Sequence, residues 1–164
     1  MRVAGTHVLL TGATGDIGRR LATHLSDAAA RLTLVARSTQ PLEALAADLG
    51  AHAVPADLTD RDTLRSLIRD VEQAHGPVDV LVNNAGTETV GHLTHLSADD
   101  LEHLLALNLL APVELCRQVL PGMTARGRGH LVNISSLAGV ATFPGLATYG
   151  ATKAGLTHFT SGLR

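Results

Sequence analysis

Tyr149 is the only tyrosine in the chain, and it stands four residues before Lys153 in "TYGATKAG". All of the 13 lysine and arginine side chains except Lys153 are arginines. On a helix, residues i and i+4 share a face and lie close enough to interact. An ammonium beside a phenol favours the phenolate of a group that otherwise ionises near about 10. Arginine would serve less well, because it stays charged and cannot pass a proton on. The pair is therefore suited to proton chemistry, although a surface i,i+4 pair would show the same spacing.

A second stretch suited to chemistry is "TGATGDIGRRLA", which follows the apolar run "HVLLT". Gly12, Gly15 and Gly18 make a glycine-rich turn between a strand and a helix, the context in which such spacing binds a dinucleotide. Gly12 permits the tight turn, Gly15 admits a pyrophosphate, and Gly18 lets helix and strand approach. The helix start then offers free N–H groups to the phosphates. Thr14, Asp16 and Ile17 complete the candidate cradle. A carboxylate at Asp16 would repel a pyrophosphate, so it is expected to cap the helix and face solvent.

These groups need a scaffold, and the apolar pattern supplies one. Short β-type runs fall at 7–11, 31–36, 51–56, 78–83 and 130–135, with helical patterns at about 17–29, 41–49, 60–75, 98–125 and 149–163. Leu64, Leu67, Ile68 and Val71 fall on one helical face. Ser97 and Asp100 have capping-box spacing, and "LPGM" predicts a bend in or after the long segment. Continuous apolar strands alternating with helices indicate α/β architecture, a doubly wound parallel sheet covered on both faces.

Bulk properties narrow the function. The chain has 164 residues, 45% of them hydrophobic, and a net charge of −2, as in an ordinary one-domain globular protein. That charge offers no field for nucleic acid or an anionic membrane, and 2% aromatics leave no stacking platform. Cys116 has no internal disulfide partner, which fits a reducing cytoplasm. The opening "MRVAGTHVLLTG" has too short an apolar run for a signal peptide, and no segment is expected to reach membrane-spanning length. His92 and His95 have helical spacing but no third ligand at a recognisable interval, so no metal site is assigned.

With "TGATGDIG", "NNAG" (83–86), "NISS" (133–136) and "YGATK" (149–153) in order, the chain resembles the short-chain dehydrogenase/reductase family over nearly its whole length. The resemblance implies a Rossmann-type dinucleotide-binding domain over 1–164. It implies an oxidoreductase that interconverts a carbonyl and a secondary alcohol by hydride transfer. Asn83, Asn84, Ala85 and Gly86 match the motif that steadies the sheet and lines the cofactor site. Ser136, thirteen residues before Tyr149, matches the catalytic serine that orients the reacting oxygen. Tyr149 matches the general acid/base and Lys153 the residue that tunes it and binds the nicotinamide ribose. Asn108 matches the asparagine that holds a water in the proton relay, and Asp57 with Leu58 the adenine contact.

The second strand ends at Ala36 and Arg37 rather than at an acidic residue. A carboxylate there would accept the ribose 2′-OH and repel a 2′-phosphate, whereas a guanidinium can hold that phosphate bidentately. NADP(H) is therefore expected over NAD(H), unless Arg37 pairs with Glu43 or faces solvent.

Two departures qualify the resemblance. Glycine at 15 rather than 16 resembles the branch containing sugar-nucleotide epimerases, which stays as an alternative activity. The chain also ends inside the Lys153 helix, so the family's last strands and helices are missing. A truncated, catalytically silent nucleotide-binding protein is the other alternative, with "HLVNIS" as an exposed sheet edge. The segments 87–97 and 137–147 border the expected pocket and carry no arginine, which argues against a strongly anionic substrate. The resemblance also implies a homodimer or homotetramer built on the 98–125 and Tyr149 helices.

Overall fold

The computed structural model describes residues 3–163. Five strands alternate with helices: β1 (His7–Thr11), α1 (Asp16–Asp27), β2 (Arg31–Ala36), α2 (Thr39–Leu49), β3 (His52–Pro55), α3 (Arg61–His75) and β4 (Val80–Asn83). There follow α4 (Ala98–Leu105), a π-turn (Ala106–Leu110), α5 (Ala111–Ala125), β5 (His130–Asn133) and α6 (Ala147–Gly162). All strand pairs are parallel, in the order β3-β2-β1-β4-β5. The expected Rossmann-type doubly wound sheet is present.

Alternation along each strand divides the core. Leu9 and Leu81 pack with Leu64, Ile68, Val71, Leu115 and Val119 on the α3/α5 face. Their neighbours Val8, Leu10, Val80 and Val82 pack with Ala22, Leu42 and Leu45 on the α1/α2 face. Both faces are buried, so β1 reads as an unbroken buried run. Asp60 caps α3 by accepting the Thr63 N–H at 2.8 Å, and Ser97 with Asp100 forms the expected capping box on α4. The strand order reverses between β1 and β4, which opens a crevice beyond their carboxyl ends.

The 98–125 segment is helical to its expected end, but it also reaches a length that no segment was expected to have. Helix α5 runs through Pro121 and Gly122 to Ala125. With α4 and the π-turn it makes a 28-residue helical run, long and apolar enough by composition to cross a membrane. Its inner face nonetheless carries Leu104, Leu107, Leu115, Val119 and Met123 into the core.

One histidine lies deep in the fold. His7 is buried at the foot of β1. Its Nδ1 lies 3.0 and 3.1 Å from the carbonyls of Gly76 and Pro77, and its Nε2 lies 2.8 Å from the Thr33 hydroxyl. The neutral ring suits this site, with Nδ1–H donating and Nε2 accepting. Nearby, His52 and His75 stack with ring centroids 3.8 Å apart. Burial holds His7 below the usual 6.5, and burial with the charges of His52 and His7 does the same for His75. Above pH 6.5 the rings are neutral in both folded and unfolded chains. Below it the unfolded chain takes up protons that the folded one resists, so stability falls with falling pH. The expected result is a Tm that drops between pH 7 and 5, with a shallower slope in His7→Gln. An unchanged slope in that variant would remove His7 as the cause.

Candidate active site

The glycine turn is held to β4 by one hydroxyl and one amide. Thr11 Oγ1 accepts the N–H groups of Asn84 and Ala85, both at 3.1 Å. The Asn84 side chain donates to the carbonyls of Thr11 and Gly12, again at 3.1 Å. Gly12 has φ +66, and a Cβ there would come within 2.7 Å of the Ala85 Cα. At Gly18 a Cβ would overlap the Gly12 carbonyl oxygen. Gly15 differs, because a Cβ there would meet the protein only at 3.5 Å. Glycine at 12 and 18 is thus required by the fold, while at 15 the fold leaves room for a side chain.

Gly15 is the N-cap of α1 and makes no side-chain cap bond. Asp16 is the first helical residue and does not cap, contrary to expectation. It is exposed in the first turn, where its charge favours the helix dipole. The uncapped helix start opens onto a cleft of about 600 Å³. Of the predicted cofactor residues, Gly12, Thr14, Gly15, Asp16, Ile17, Gly18, Arg37, Leu58, Asn84, Ala85 and Gly86 all line this cleft. Asp57 stands off its wall and accepts the hydroxyl and N–H of Thr59 at 2.7 and 2.9 Å. Those two bonds hold its carboxyl below the usual range. Ser38 and Glu88 also line the cleft, although no motif marks either of them. Arg37 is exposed on its rim, and among the described residues no ion pair joins it to Glu43.

Behind Gly86 lies the second group of predicted residues. Asn108 is buried within the π-turn and clamps the backbone of Thr87. Its Nδ2 donates to the Thr87 carbonyl at 2.7 Å, and its Oδ1 accepts the Thr87 N–H at 2.9 Å. Nδ2 also lies 3.2 Å from the Thr152 hydroxyl. The extra residue of a π-turn widens the helix locally, a feature often found at functional sites. Here it places the Asn108 amide within 3.2 Å of where a Gly86 Cβ would stand.

Lys153 is buried, and its Nζ donates to the Ile134 carbonyl at 2.9 Å. The same atom lies 5.9 Å from the centroid of the half-buried Tyr149 ring and 3.5 Å from the Cβ position of Gly86. Burial alone holds this ammonium below the ordinary lysine range. Ser136 accepts the Ala138 N–H at 3.2 Å, which leaves its own hydroxyl proton free to be donated. Gly139 and Gly150 let the 137–139 turn touch α6, since a Cβ at Gly150 would lie 2.9 Å from the Ala138 oxygen. No motif in the sequence singled out Thr11. Thr11 ends the first strand immediately before Gly12, which is the signal that could have found it.

The short chain dehydrogenase family model matches residues 6–164. The ketoacyl reductase HetN of Nostoc sp. is 38% identical over 167 residues, covering 99% of this chain and 58% of its own length. A short-chain dehydrogenase structure from Streptomyces avermitilis superposes with a TM-score of 0.93 at 38% identity, covering 99% of this chain and 61% of the other. A metagenomic short-chain oxidoreductase solved in complex with NADP also gives 0.93, at 36% identity, with 99% and 75% covered. The chain thus spans about three fifths of the HetN and Streptomyces proteins.

Proposed function

This chain belongs to the short-chain dehydrogenase family, and from that premise we propose that its 164 residues form one dinucleotide-binding unit of an NADP(H)-dependent oxidoreductase. The reaction is the interconversion of a carbonyl compound and a secondary alcohol, with Tyr149 as the general acid and base. The observation that carries this reading is the placement of Lys153 Nζ, buried between the Tyr149 ring, the Ile134 carbonyl and the cleft wall at Gly86.

The residues present fit a dinucleotide. The uncapped start of α1, the ligand-facing Gly15 and the volume of the cleft suit a diphosphate and its sugars. Arg37 on the rim, beside Ser38 at the start of α2, suits a ribose 2′-phosphate. When bound, the nicotinamide supplies or accepts hydride. Ser136 donates its free hydroxyl proton to the substrate oxygen and orients it. The Tyr149 hydroxyl delivers a proton to that oxygen in reduction and removes one in oxidation. Lys153 holds the ribose and keeps a proton source next to Tyr149. The Asn108 amide is committed to Thr87, so it also keeps the Gly86–Thr87 backbone in place beside the cleft.

The substrate reading follows from the walls. Val90, Leu93, Leu137, Val140 and Phe143 are exposed in the two segments that border Ser136 and Tyr149. Those segments are joined by the Gly91 N–H donating to the Gly145 carbonyl at 2.9 Å. An apolar or weakly polar ketone suits this border better than an anionic one.

The test is a fluorescence titration of the chain with NADPH and, separately, with NADH. Saturable binding that favours NADPH is the expected outcome. A folded chain that binds neither would overturn this reading and the silent nucleotide-binding alternative alike, because these residues would then not form a working cofactor site. Equal binding of both would remove Arg37 as a selector.

A further inference from the structure

Two serines stand side by side just beyond β5, and only Ser136 has a part in the proposed reaction. Ser135 points at α6, as does Asn133 two residues earlier, in keeping with strand alternation. On α6, Lys153, Thr157 and Thr160 recur at i, i+4 and i+7, on one face. Each threonine donates its proton within its own helix, Thr157 to the Lys153 carbonyl at 2.9 Å and Thr160 to the Leu156 carbonyl at 2.7 Å. Their oxygens then have lone pairs open toward β5. Asn133 Nδ2 donates to Thr160 Oγ1 at 2.9 Å, and Ser135 Oγ lies 2.7 Å from Thr157 Oγ1 and 3.1 Å from the Lys153 carbonyl. Lys153 Nζ returns the contact by donating to the Ile134 carbonyl, between the two strand residues. No side chain fits between the partners, since a Cβ on Gly139 would lie 2.8 Å from the Lys153 oxygen and 3.0 Å from Ser135 Oγ. Asn133 Oδ1 also accepts Asn83 Nδ2 at 2.8 Å, which anchors the arrangement to β4.

We propose that Ser135, Asn133, Thr157 and Thr160 are positioning residues, a polar clasp that fixes how far α6 slides along β5 and so where Tyr149 and Lys153 stand relative to Ser136. This rests on the catalytic reading above. Apolar packing between a strand and a helix tolerates sliding, because dispersion and burial are non-directional. Hydrogen bonds with defined donors do not tolerate it, because they weaken steeply as distance and angle change. The clasp meets Lys153 directly at its ammonium and reaches its carbonyl through Thr157.

The chain contains one tyrosine and no tryptophan, so the tyrosine band of the near-ultraviolet circular dichroism reports on the surroundings of Tyr149 alone. In the double variant Ser135→Ala/Thr157→Val we expect that band to lose amplitude, as the ring loses its fixed place beside β5. The pair Ser135→Thr/Thr157→Ser, which keeps both hydroxyls, should restore it. Turnover of a ketone by the double variant should fall by up to roughly 10²-fold with little change in KM, as expected for misplacement of the order of 1 Å. A folded double variant whose tyrosine band and turnover both match those of the wild type would overturn the proposal, because a merely stabilising clasp moves Tm and neither of these. Should the double variant not fold, the same two measurements on Ser135→Ala decide by the same criterion. If the band changes while the wild-type chain binds neither nucleotide, the clasp stands and the catalytic reading falls.

Discussion

Tyr149→Phe is expected to lower the rate of ketone reduction by about 10²–10⁴-fold, the range associated with loss of a positioned proton donor. The substitution removes one oxygen and little else. Phenylalanine keeps the ring near Lys153 Nζ, and the helix turn around Thr152 is closed by the Tyr149 backbone carbonyl, which the change leaves in place. NADPH affinity should therefore change far less than turnover. Single-turnover reduction separates the two, because it reads the chemical step in enzyme already loaded with nucleotide. Retention of more than about a tenth of the wild-type rate would mean that the proton comes from elsewhere.

The second large effect concerns the nucleotide. Ala36 closes β2 and lines the cleft, and Arg37 follows it on the rim. Replacing both, as Ala36→Asp/Arg37→Ala, removes charge-assisted bonds worth about 1.5–3 kcal/mol and places a carboxylate where the 2′-phosphate would sit. At about 1.4 kcal/mol per tenfold, the ratio of NADPH to NADH affinity should fall roughly 10²-fold or more. Dissociation constants for both nucleotides, measured on wild type and variant, give that ratio directly. A ratio that stays within threefold of the wild-type value would place the selecting group outside the end of β2.

Most of the fold was legible because apolar periodicity and burial report on the same thing. The strand run at 31–36 and the helical face Leu64, Leu67, Ile68 and Val71 could hardly be read otherwise. The glycine turn was legible for a steric reason, since Gly12 and Gly18 admit no side chain. Less visible were features that depend on what tertiary packing offers. His7 is buried because Gly76, Pro77 and Thr33, distant in sequence, satisfy both of its ring nitrogens. Asp16 does not cap because Gly15 already occupies the N-cap position. Around the candidate site, the residue types at 108, 136, 149 and 153 could be read, but the π-turn and the role of Ser135 could not. Neither leaves a periodic trace.

The strand order also has a kinetic meaning. Asn84 grips Gly12 across 72 residues of chain, and β1 pairs with β4 only after β2 and β3 have been laid down between them in sequence. The β1–β2–β3 half is built from nearer neighbours and can form first, whereas closing so long a loop costs entropy before any contact compensates for it. The nucleotide cradle, which needs Thr11 and Asn84 together, is therefore assembled by the late, non-local step of folding. Mutations in the β1–β4 seam should slow the appearance of nucleotide binding more than the appearance of helical signal, so that during refolding the chain looks folded before it can bind.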